Sequence, residues 1–80
     1  MLTDIDAGIR ARFLVHLNQE MLFIAHHPGN ARNSHRNAVL VIEALARVEL
    51  ITTERKELLL TAVDSALVDA IQFLRERRGQ

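Results

Sequence analysis

Three of the four histidines and two of the ten basic residues fall in one short run, His26-His27-Pro28-Gly29-Asn30-Ala31-Arg32-Asn33-Ser34-His35-Arg36. Imidazole changes charge near neutral pH and is a common ligand of zinc and nickel, so a convergent trio could bind metal or respond to pH. The spacing argues against metal, because adjacent helical residues such as His26 and His27 point about 100° apart and cannot share an ion. Anion binding is a second chemistry: Arg32 and Arg36, beside the free N–H groups of a helix start, could grip a phosphate or a partner's carboxylate. The third reading is a solvated turn whose histidines complement the negative end of a helix dipole. Pro28-Gly29 is a turn signal and not a GxxxxGK[ST] phosphate loop.

The segment Arg75-Glu76-Arg77-Arg78 forms a second basic cluster. Three arginines at a helix end complement its dipole; in a dimer they would also repeat about a two-fold axis and could contact nucleic acid. Ala46, Leu50, Ile51 and Thr52 loosely resemble the turn of a helix-turn-helix motif. The usual turn glycine would be Leu50, an apolar position would be Lys56, and Glu54 and Glu57 would face phosphates, so the pattern fails where it matters. Residues for catalysis are scarce. There is no cysteine or tyrosine, and Ser34 and His35, as helical neighbours, do not face one another. Asp64 and Asp69 diverge along a helix, and Glu54 and Glu57 fit its first turn by charge alone. His16, amid Arg12, Asn18, Gln19 and Glu20, reads as a boundary residue. The expectation is a protein that is not an enzyme and takes no metal or cofactor.

Eighty residues allow one domain, and ten acidic against ten basic residues leave no net field to choose an anionic partner. Absence of cysteine excludes disulfides, thiolate zinc sites and thiol redox chemistry. Asp4, Asp6, Arg10 and Arg12 interrupt the region where a signal peptide would be apolar. The longest apolar runs, Met21 to Ala25 and Ala38 to Ile42, fall far short of the roughly 18–20 residues that cross a bilayer. The expectation is therefore a cytoplasmic protein with no membrane contact. Nearly all the basic residues are arginine, a bias expected of GC-rich bacterial or phage coding.

The elements that must position these side chains follow from periodicity. Ile5, Ile9, Phe13, Leu17, Met21 and Ile24 recur at helical spacing, and the pattern predicts a helix over 3–27, capped by Thr3 and stopped by Pro28-Gly29. Gly8 is its weak point, unless another backbone packs there. A second helix over 34–50, capped by Asn33 or Ser34, carries the stripe Ala38, Val41, Ile42, Leu45, Val48. With Val39, Leu40 and Ala46 on other faces it is apolar most of the way round and belongs in the middle. Thr52 or Thr53 caps a third helix over 53–77 with the stripe Leu60, Val63, Leu67, Ala70, Leu74. A single helix bent at 50–53 is the alternative. No strand is predicted. The fold class is all-α: an antiparallel three-helix arrangement, two long helices and one shorter apolar helix, completed as a homodimeric helical bundle.

The homodimer is expected because the apolar surface exceeds what one narrow core can bury. Val15, Leu22, Phe23, Leu58 and Val68 lie off the main stripes, and monomers rarely expose large apolar patches. The function read from this pattern is a small non-enzymatic protein–protein interaction module, a regulator, adaptor or inhibitor that binds itself and a larger protein. The alternative is a dimeric nucleic-acid-binding regulator using the arginine clusters. The candidate partner-binding residues are Leu22, Phe23, His26, His27, Arg32, His35, Arg36, Phe73, Arg75, Arg77 and Arg78.

Overall fold

Thr3 opens the chain's first helix by a reciprocal bond pair: its hydroxyl accepts from the Asp6 N–H at 3.0 Å, and the Asp6 carboxylate accepts from the Thr3 N–H at 3.4 Å. This capping box satisfies two backbone donors that the helix start would otherwise leave free. The computed structural model describes residues 3–78. They form α1 (Asp4–His26), a 3-10 turn (Pro28–Asn30), α2 (Ala31–Arg47) and α3 (Thr53–Arg78), with no strand among the described residues. Among the described residues no helix is long and apolar enough to cross a membrane.

The second helix differs from expectation at both ends. It begins at Ala31, not at Ser34, because the 3-10 turn runs directly into it: the Asn30 N–H donates to His27 O and the Ala31 N–H to Pro28 O. Neither Asn33 nor Ser34 caps it. Asn33 instead accepts from Arg36, and Ser34 lies buried inside the helix. The helix ends at Arg47, not Leu50, in a Schellman turn: the Leu50 N–H donates to Leu45 O at 2.9 Å and the Glu49 N–H to Ala46 O at 3.1 Å. Glu49 occupies the left-handed position of that turn, with φ 61°. Glycine usually marks this position, and its absence hid the helix end from the sequence. Leu50 and Leu45, the apolar pair that accompanies such a turn, are both buried. Thr52 Oγ1 then accepts from the Arg55 N–H at 3.1 Å to cap α3, so α2 and α3 are separate helices.

The two helices lie side by side and antiparallel. His35, fifteen residues before Leu50, meets Asp64, fourteen after it, at 2.7 Å. That rules out the steep crossing of a helix-turn-helix pair. The core joins Leu17 and Ile24 of α1, Ala31, Ala38 and Ile42 of α2, and Val63 and Ala70 of α3. On α3 the expected stripe is the buried one, with Leu60, Leu67 and Leu74 half-buried beside Val63 and Ala70. On α2 the buried stripe is Ala31, Ser34, Ala38, Ile42 and Leu45, while Val48, assigned to it from sequence, is exposed.

The expected stripe on α1 is buried only in its second half. Ile5 is 76 % exposed, and Ile9 and Phe13 are also exposed; Leu14, Leu17, Met21 and Ile24 face the core instead. A ladder of four-residue steps drifts about 40° per step around an α-helix, so Ile5, Ile9 and Phe13 wind off the face that Leu17 occupies.

The molecule measures 53 × 19 × 13 Å, an elongated and flattened body, with a radius of gyration of 14.3 Å. A compact chain of this length would have a radius near 12 Å. The 26 residues of α3 span only about 39 Å, so the 53 Å length requires the helices to be staggered. Arg10 and Leu14 stand level with the α2–α3 turn, which leaves the start of α1 protruding beyond it. Ile71 and Leu74 stand level with the 3-10 turn, and the last turns of α3 protrude at the opposite end.

Glu49→Gly is expected to stabilise the fold by about 0.5–1 kcal/mol, by removing the side-chain clash of a left-handed residue. Urea unfolding followed by circular dichroism measures it; an unchanged or lower midpoint would show that Glu49 carries no such strain.

Candidate interaction surface

The hairpin between α1 and α2 and the end of α3 meet at one end of the slab. There the two basic clusters, separate in sequence, come together. From His26 to Arg36 the chain carries two arginines and no acid; from Ile71 to Arg78 it carries three arginines against Glu76 alone. Zero net charge therefore conceals a locally positive end, which the composition could not reveal. A shallow cleft of about 250 Å³ lies between the segments, lined by Pro28–Asn33 with Ile71 and Leu74. The two α3 residues escaped sequence reasoning because Leu74 reads as a stripe position and Ile71 as an apolar residue flanking that stripe.

The candidate residues take several different roles. His27 closes α1, its N–H donating to Phe23 O at 2.8 Å, and its ring lies over the Phe23 ring with centroids 4.3 Å apart. His26, Arg32 and Leu22 are exposed. Arg36 Nη2 donates to Asn33 Oδ1 at 2.9 Å, which holds the guanidinium along α2. Near the end of α3, the Arg77 guanidinium stands 5.8 Å from the centre of the exposed Phe73 ring, while Arg75 and Arg78 are exposed without an ion-pair partner among the described residues.

His35 does not join its neighbours. Its Nε2 lies 2.7 Å from Asp64 Oδ1, bridging α2 to α3. A carboxylate only accepts, so Nε2 is the protonated nitrogen in this bond. The three hairpin histidines are thus split, and no group of three or more metal-ligating side chains forms among the described residues. Asp64, read from sequence only as diverging from Asp69 along a helix, acts at the seam between α2 and α3. His16 pairs loosely with Glu20 at 3.8 Å on the surface of α1.

A larger open cleft of about 750 Å³ lies at the other end, lined by Arg10 and Leu14 of α1, Ala46, the turn Glu49–Thr53 and Arg55. It was not legible in the sequence, since it depends on where α1 stands against the α2–α3 turn.

All three phenylalanines are exposed: Phe13 at 42 %, Phe23 at 44 % and Phe73 at 48 %. Aromatic side chains carry the largest apolar payload per residue, and here no phenylalanine belongs to the buried core. Ile5, Ile9, Val15, Leu22, Leu40, Val48, Leu58 and Val68 are exposed with them. Comparison with protein-family models, curated proteins and solved structures finds no match to this chain.

The His35–Asp64 bond is expected to contribute about 0.5–1 kcal/mol, as a partly exposed pair does. A double-mutant cycle of His35→Ala and Asp64→Ala, read by urea unfolding, isolates that coupling from the separate cost of each truncation. Strictly additive effects would remove any role for the bond in joining α2 to α3.

Proposed function

We propose that this chain is a small non-enzymatic protein–protein interaction module that associates with itself, its two longer helices and shorter apolar one completing a bundle with a second copy. The observation that carries the reading is area. The chain exposes 6059 Å², whereas mass scaling gives a compact 9.1 kDa monomer about 4,900 Å². The excess of roughly 1,200 Å² exceeds the ~800 Å² that each partner of a standard interface buries. Eleven large apolar residues contribute to that exposed surface. Leu22, Phe23 and Phe73 supply the apolar anchors for a larger protein partner as well. Arg32, Arg36, Arg75, Arg77 and Arg78, with His26 and His27, supply orientation around them, while His35 ties α2 to α3.

The gathering of five arginines at one end favours a second reading, a regulator whose dimer places two such ends on nucleic acid. In both readings the protein works in the cytoplasm without a cofactor.

Light scattering behind size exclusion over a hundredfold range of concentration is expected to give twice 9.1 kDa. A mass of one chain throughout would overturn self-association. For the second reading, retention on heparin is expected to vanish steeply with added salt; no retention at low salt would dispose of it.

A further inference from the structure

The stagger of the helices leaves two protrusions of opposite chemistry at opposite ends of the slab. The start of α1 carries Asp4 and Asp6, with no basic residue before Arg10, and exposes Ile5 and Ile9. At the other end, the last turns of α3 carry Arg75, Arg77 and Arg78 against Glu76 and expose Phe73. Each protrusion has an apolar anchor and a charge that the other lacks. Within one chain they cannot meet, being separated by most of the 53 Å length.

We infer that a second copy of this chain binds turned end for end, so that the acidic start of each α1 lies against the basic end of the other copy's α3. This deepens the self-association reading and rests on it. A two-fold axis across the long dimension makes both contacts at once and closes the assembly, as an isologous pair does. The broad face of the slab, 53 × 19 Å, offers an area on the order of 1,000 Å² per copy, enough for a standard interface. Ile5 and Ile9 then cover Phe73, while Asp4 and Asp6 face the arginines at the rim. Gly8 belongs to the same protrusion, and in the single chain nothing lies within 4 Å of the Cβ it lacks, so it presents open backbone to the partner.

A charge swap tests the pairing. Asp4→Arg alone and Arg75→Glu alone should each weaken the dimer about fivefold, because two symmetry-related surface pairs are lost together. Both substitutions in one chain should restore it. Their effects on folding go the other way, since each places the wrong charge at a helix end and the two costs add. Restored dimerisation in the less stable double variant therefore cannot arise from stability. Single changes without effect, or a double variant weaker than either, would overturn the inference.

Orientation is read separately. The chain has no cysteine, so a spin label at Asp4→Cys is unique. Two such labels in one dimer should lie apart by a distance on the order of the 53 Å length. A mixture of Asp4→Cys and Gln72→Cys copies should show a short separation. A dimer with its Asp4 labels close together would overturn the end-for-end arrangement and leave self-association standing. A mass that grows past the dimer would overturn closure, and a monomer throughout would overturn both.

Discussion

The buried stripe along α2 is the surface on which both outer helices depend. Ala31, Ser34, Ala38, Ile42 and Leu45 recur at steps of three and four, and α1 and α3 each pack against this helix more than against one another. Small residues occupy the hairpin half of the stripe and larger ones the other half. Alanine and serine let neighbouring helices approach closely but contribute little apolar area of their own. Among the described residues the largest fully buried side chains are therefore few, Leu17, Ile24, Ile42 and Val63. A central helix of this kind holds its neighbours close around a narrow core, and the slender, elongated shape follows from it.

Charge is arranged by the same layout. Because the chain doubles back twice, the α1–α2 hairpin and the end of α3 share one extremity, and two arginine clusters about forty residues apart in sequence become a single patch. The polar contact that ties α2 to α3 is short but lies largely at the surface, so it specifies register between them more than it adds stability.

Helical identity was legible from spacing, and ends were legible wherever a side chain marked them. Thr3 with Asp6, Pro28-Gly29 and Thr52 placed the start of α1, its stop and the start of α3 within a residue or two. The ends of α2 were not legible, because backbone bonds alone build them: a 3-10 turn without a side-chain cap, and a Schellman turn with glutamate where glycine is customary. The face of α1 was half legible, since Ile5, Ile9 and Phe13 fit a helical period yet drift away from the core line. Of the candidate site, the arginines and exposed aromatics could be named from their types. His35 could not be separated from His26 and His27 without knowing that Asp64 stands opposite, and the clefts depend on relations between helices that no local pattern encodes.

One consequence of the staggered slab concerns where the molecule yields first. Backbone amides near Ile42 and Val63 are enclosed by three helices, so they exchange with solvent chiefly when the whole domain opens. Those from Asp4 to Ile9 and from Gln72 to Arg78 belong to single helices with neighbours on few sides, and they open locally by fraying. Protection is thus graded along the length, rigid at the waist and loose at both tips. Any ligand that engages the tips must order them, so part of its binding energy is spent as lost conformational entropy, and the waist registers its arrival little.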